Sequence, residues 1–105
     1  MAEPTALEAL AEPRRRAILD ALRDGERSVN EIVERLALSQ PLVSKHLRVL
    51  REAGLVEASV DGQRRLYRIR PEPLADLDAW LGGYRKFWSA QLDRLEEHLD
   101  ERRNR

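Results

Sequence analysis

The sequence predicts a mostly α-helical chain with one small β-hairpin, an α+β fold with long N- and C-terminal dimerisation helices. Three observations predict it. Two short amphipathic segments lie within residues 28–54, separated only by Ala37-Leu38-Ser39. An Asp61-Gly62 pair follows, with apolar β-formers on both sides, which is a strong hairpin signal. An apolar stripe of helical period then runs from Leu74 to Leu99. Helix, turn, helix and hairpin in that order make a winged helix-turn-helix. Its parts are expected as N-terminal helices at 5–27, the helix-turn-helix at 28–54, the wing at 55–70 and a C-terminal dimerisation helix at 72–102, all within one domain of 105 residues.

Pro4-Thr5 opens a first helix with Leu7, Leu10 and Ala11 as its apolar positions. Pro13 either interrupts that helix or starts the next, which runs from Arg14 to about Arg23 with Ala17, Ile18, Leu19 and Leu22 inward. Asp24-Gly25 ends it. Arg14-Arg15-Arg16 make a solvated first turn, with a phosphate contact as the alternative. Ser28-Val-Asn-Glu31 reads as a capping box, opening a short helix with Val29, Ile32, Val33 and Leu36 on its apolar side.

The next helix is the one the chain is organised around. Ser39 is its N-cap, Pro41 sits in the first turn where a missing N–H costs little, and Gly54 offers the left-handed stop. Val43, Leu47 and Leu50 recur at i, i+4 and i+7 and define a buried stripe. The opposite face offers Gln40, Ser44, Lys45 and Arg48, flanked by Leu42 and His46, with no acid before Glu52. Such a face suits an anionic, hydrogen-bonding surface, and an ordinary amphipathic surface helix is the plainer alternative. In the hairpin, Leu55–Val60 and Arg64–Arg70 are the strands. Arg64 and Arg65 lie just past the turn, where a tip can follow a phosphate backbone, while Tyr67 and Ile69 face inward.

Pro71-Glu-Pro73 starts the last helix, in which Leu74, Leu77, Leu81, Tyr84, Trp88, Leu92, Leu95 and Leu99 step by three or four. So long a stripe exceeds what the preceding body can cover, and it needs a partner. Gly82-Gly83 sits mid-stripe, where each glycine costs about 1 kcal/mol against alanine. Either the helix bends there, or two backbones approach closely.

Charge is segregated although the formal net charge is zero. Residues 39–70 hold 7 basic and 3 acidic side chains, whereas 1–38 and 71–105 each hold 6 basic and 8 acidic. The positive block coincides with the proposed reading helix and wing, and local field rather than total charge governs docking on phosphates. With no cysteine, neither a disulfide nor a thiolate metal site forms. No apolar run approaches the roughly 20 residues of a membrane span and no signal-peptide pattern opens the chain, so no membrane partner and a cytoplasmic setting are expected. His46 and His98 are the only histidines, and no nucleophile–base pair or Gly-rich phosphate loop appears, so neither an enzyme nor a cofactor is expected.

In four regions the sequence resembles the ArsR family of small bacterial winged-helix repressors. The residues that carry this are Leu10-Ala-Glu-Pro-Arg-Arg-Arg-Ala-Ile-Leu19, Ser39-Gln-Pro-Leu-Val-Ser-Lys-His-Leu47, Glu52-Ala-Gly-Leu-Val56 and the wing with Tyr67. Tyr84-Arg-Lys-Phe-Trp88 before Leu92-Asp-Arg-Leu95 looks like a branch without metal-binding cysteines. The resemblance implies a homodimer built from the first and last helices, with Leu7, Leu10, Leu77, Leu81, Tyr84, Trp88, Leu92 and Leu95 at the contact. It also implies a repressor on an inverted repeat in duplex DNA. Gln40, Ser44 and Lys45 are then the base-reading candidates, and Leu42 meets a thymine methyl. Ser39, His46, Arg48, Arg64 and Arg65 meet the backbone. Zinc-binding relatives use an Asp-x-His pair followed eleven residues later by His-x-x-Glu. Here His98 and Glu101 match the second half, but Arg85 and Phe87 stand in the first, so no metal site is expected. No motif names a small-molecule effector. The competing class is a winged-helix protein-interaction module without DNA binding, and the polar face around Gln40 argues against it.

Overall fold

A computed structural model describes residues 3–103. Its order is α1 (Ala6–Leu10), α2 (Pro13–Ala21), β1 (Arg27–Ser28), α3 (Val29–Leu36), α4 (Gln40–Glu52), β2 (Val56–Asp61), β3 (Arg64–Ile69) and α5 (Glu72–Arg103). This is the expected helical fold with a hairpin wing. Two compact units make it up, Met1–Leu74 and Ala75–Arg105, and the second consists of α5 beyond its first residues.

Pro13 starts α2 rather than interrupting α1. Glu12 is the N-cap, and its carboxylate accepts the N–H groups of Arg14 at 2.6 Å and Arg15 at 3.1 Å. The arginine triplet is only partly the solvated turn expected. Arg15 Nε donates to Ala9 O and Arg16 Nη1 to Leu10 O, both at 2.6 Å, so two guanidiniums cap the orphan carbonyls that end α1. The helix stops at Ala21, two residues short of Arg23, because Leu22 to Asp24 form a turn that Gly25 closes at φ +142°.

In α3 the capping box is complete: Ser28 Oγ accepts the Glu31 N–H at 3.2 Å, and the Glu31 carboxylate accepts the Ser28 N–H at 3.0 Å. The turn into α4 passes through Ala37 at φ +55°, a left-handed conformation that costs a residue with a Cβ of order 1 kcal/mol. Ser39 Oγ then caps α4 through the Leu42 N–H. At the far end Gly54 lies at φ +76°, with Leu55 N–H on Leu50 O at 2.9 Å and Gly54 N–H on Arg51 O at 3.0 Å. That pair of bonds is a Schellman stop, as the glycine implied.

The sheet has three antiparallel strands in the order β1-β3-β2. The edge strand β1 escaped the sequence because two residues have no period to read; Arg27 pairs with Tyr67 and Ser28 with Leu66. The hairpin turn is also displaced by one residue. Asp61 pairs with Arg64, which leaves Gly62-Gln63 rather than Asp61-Gly62 at the centre of the turn. Gly62 has φ +64° and Gln63 does not, so a single positive φ at the first central position is needed, and glycine meets it.

The core of the first unit joins Ile18, Ile32, Val43, Leu47, Leu50, Leu55 and Val56, all essentially solvent-free, with Tyr67 at its edge. Each such side chain is worth about 1.5–3 kcal/mol of burial. Helix α5 has the opposite character. It is 32 residues long, continuous through Gly82-Gly83, and contains no buried residue. At 1.5 Å per residue it spans roughly 48 Å.

Candidate nucleic-acid interface

Helix α4 presents two faces. Val43, His46, Leu47 and Leu50 are buried, while Gln40, Lys45 and Arg48 are exposed and Leu42 and Ser44 half-buried. Gln40 Nε2 donates to Ser44 Oγ at 3.0 Å, one turn on. That bond fixes the amide orientation and leaves its carbonyl oxygen and second N–H directed outward for another partner. Lys45 has no ion-pair partner among the described residues, and Arg48 has only a loose, exposed contact to Glu52 at 4.0 Å.

His46 corrects the sequence reading. Expected beside the polar face as a phosphate contact, it is 5 % exposed, and neither ring nitrogen has a hydrogen-bond partner among the described residues. Its position follows from helix geometry, because 46 is three residues beyond Val43 and four before Leu50. The period that marks 43, 47 and 50 as buried therefore includes 46, and only its polar side chain suggested otherwise. Burial lowers the pKa of the imidazole from its ordinary 6.5; Glu12 opposes this, and Arg15, Lys45 and Arg14 reinforce it.

The wing supplies cations of different standing. Arg64 and Arg65 are both exposed at the start of β3. Arg64 Nη2 donates to Glu31 Oε1, tying the hairpin to the first turn of α3. Arg65 instead holds its guanidinium 5.9 Å from the centroid of the Tyr67 ring. Farther along, Arg68 Nε donates to Glu57 at 2.6 Å across the register pair Glu57–Arg68. Glu31 is held below the ordinary carboxylate range first by the hydrogen bonds from Ser28, then by Arg64 and Arg27. Ser28, Asn30, Gln63, Arg64 and Arg65 border a cleft of about 250 Å³. The capping motif was visible in the sequence, but its meeting with Arg64 was not, since 33 residues separate the partners.

Among the residues expected at a dimer contact, Leu10 is half-buried and packs on the core, whereas Leu7 is largely exposed. Leu10 also borders an apolar cleft of about 290 Å³ with Leu19, Ile69 and Leu74. On α5, Leu77 and Leu81 are half-buried, and Tyr84, Trp88, Leu92 and Leu95 are exposed. Among the described residues no group of three or more His, Cys, Asp or Glu side chains gathers as metal ligands would. No helix of the described residues is long and apolar enough to cross a membrane.

Comparison with known proteins places these features. Residues 12–58 match the bacterial regulatory protein, arsR family. The HTH-type transcriptional repressor SmtB of Mycobacterium tuberculosis is 45% identical over 71 residues, 68% of this chain and 53% of SmtB, so the match spans about half of that protein. The HTH-type transcriptional regulator Rv2034 of Mycobacterium tuberculosis is 39% identical over 95 residues, 90% of this chain and 86% of its own. Among solved structures, the homodimeric winged helix-turn-helix DNA-binding domain of Mb0332 from Mycobacterium bovis has a TM-score of 0.61 and 42% identity. It covers 70% of this chain and 68% of that one. With its capped helix-turn-helix, its three-stranded wing and these relatives, the chain belongs to the ArsR family of bacterial regulatory proteins.

Proposed function

We propose that this protein is a homodimeric repressor that binds an inverted-repeat operator in duplex DNA. The observation that carries the reading is the outward face of α4, where Gln40, Ser44, Lys45 and Arg48 stand together with no acid in the helix before Glu52. Gln40 and Ser44, joined by their hydrogen bond, read base edges with Lys45, and Leu42 packs on a thymine methyl. Ser39, Arg48 and Arg65 position the phosphates, while Arg64 is paired with Glu31. The names of the relatives, SmtB a repressor and Mb0332 a homodimeric DNA-binding domain, support the same reading.

The test is a gel shift at low salt with the promoter fragment of the protein's own operon. A discrete complex is expected that excess promoter competes away and excess random duplex does not. Gln40→Ala and Ser44→Ala should each relax base preference by about 1–3 kcal/mol at one position. Arg65→Ala should weaken specific and random duplex alike. No complex with any duplex would leave a protein-interaction module as the function.

A further inference from the structure

Glu31 uses one carboxylate oxygen twice. Its Oε1 accepts the Ser28 N–H at 3.0 Å as part of the α3 cap, and the same atom accepts from Arg64 of the wing. The cap anchors the acid from a second side, since Glu31 N–H bonds Ser28 Oγ at 3.2 Å. Arg64 is therefore the partner free to leave. The pair is open to solvent, with 59% of the Arg64 side chain and 40% of the Glu31 side chain exposed. Arg65 is adjacent in sequence but stacks over Tyr67 and meets no carboxylate among the described residues. One wing cation is thus compensated and its neighbour is not.

We propose that Glu31 is a selectivity residue: its carboxylate neutralises Arg64 and withholds one phosphate contact from duplex DNA of any sequence. The inference rests on the DNA-binding reading above. Sequence-independent affinity follows the number of cations that meet phosphates and release counterions. A guanidinium already held by a carboxylate adds little to that number. Base-edge contacts from α4 are untouched by the pair, so lowering the non-specific term widens the gap between operator and other DNA.

The experiment measures binding of the full chain to a random-sequence duplex by fluorescence anisotropy, between about 50 and 200 mM salt, the range over which phosphate contacts reveal themselves. Glu31→Gln removes the charge and keeps an acceptor for the Ser28 N–H, since glutamine also serves in a capping box. It should bind random duplex about five- to tenfold tighter at the low-salt end, with a log–log salt slope steeper by about 0.9. Arg64→Ala should leave the wild-type slope nearly unchanged and abolish the gain in the Glu31→Gln, Arg64→Ala double variant. Arg65→Ala should flatten the slope by about 0.9 in either background. An unchanged slope or weaker binding in Glu31→Gln overturns the proposal. Should that variant lose its cooperative thermal transition, the two arginine variants decide: equal losses from Arg64→Ala and Arg65→Ala overturn it as well. If the wild type binds no duplex at low salt, it is the DNA-binding reading that falls; binding by wild type with an unaltered Glu31→Gln removes only the role of Glu31.

Discussion

His46 is a buried imidazole without a hydrogen-bond partner among the described residues, in the middle of the helix proposed to read DNA. Unmet polar groups of this kind cost about 1–3 kcal/mol. The consequence for pH has a definite sign. Unfolded, His46 takes up a proton near pH 6.5, whereas burial pushes the folded value lower. Between the two values the unfolded chain binds more protons, so stability is lost as pH falls below 6.5 and the loss levels off beneath the folded value. The carboxylates with lowered values, Glu12 and Glu31, act below 4.5 and lie outside this window. The urea midpoint should therefore drop between about pH 7.5 and pH 5.5, the interval that brackets the histidine's ordinary value. His46→Leu should remove that drop and leave the midpoint at the higher pH equal or raised, because an apolar side chain of similar size needs no partner. The same acid loss in His46→Leu would assign it to another group.

At the scale of an element, α5 is the anomaly. This helix of 32 residues has no buried residue, yet it carries Trp80, Tyr84, Phe87, Trp88, Leu92, Leu95 and Leu99 in the open. Local bonds do little to compensate. Trp80 and Tyr84 pack with their rings tilted by 57° and centroids 5.2 Å apart, and Arg85 pairs with Asp78 two turns back. Single-helix contacts of this sort contribute a few tenths of a kcal/mol each. Gly82-Gly83 lies within this stripe, and a Cβ built on either glycine meets no neighbouring atom. The proposed homodimer gives the stripe its partner, with Trp88, the least exposed of these side chains, as the anchor. Buried aromatic anchors cost about 2 kcal/mol or more on truncation. Light scattering at micromolar concentration should find the wild type dimeric, and Trp88→Ala or Leu92→Glu monomeric or unfolded. A monomeric wild type would refute the assignment.

For the whole molecule, the deciding quantity is where charge sits rather than how much there is. The chain is formally neutral, but residues 39–70 carry 7 basic against 3 acidic side chains, and part of that excess is tied up by acids outside the block, Glu31 on Arg64 and Glu72 on Arg70. On the proposed DNA-binding reading, net attraction to phosphates is then modest and recognition leans on base contacts. In a two-fold dimer the reading helices enter successive major grooves, one turn or about 34 Å apart, or a multiple of that. Selection from a random DNA pool should return an inverted repeat with half-sites about 10 base pairs apart centre to centre, or a whole number of turns farther. A direct repeat, or a single half-site, would argue against a two-fold arrangement.

The caps, the helix stop and the apolar periods were legible in the sequence. The Ser28–Glu31 capping box, the Ser39 cap with Pro41, the Gly54 stop and the stripe of α5 are each set by interactions within a few residues, and the periods 2 and 3.6 locate the rest. The two-residue strand β1, the turn centred on Gly62-Gln63 and the arginines that cap α1 needed the tertiary structure, because each depends on a partner the local pattern does not name. His46 lay between the two cases: its position in the period is inward, its chemistry outward, and packing decided for the period. Glu31 and Arg64 meet only because the wing folds back on α3, so chain distance hides a contact that folding creates.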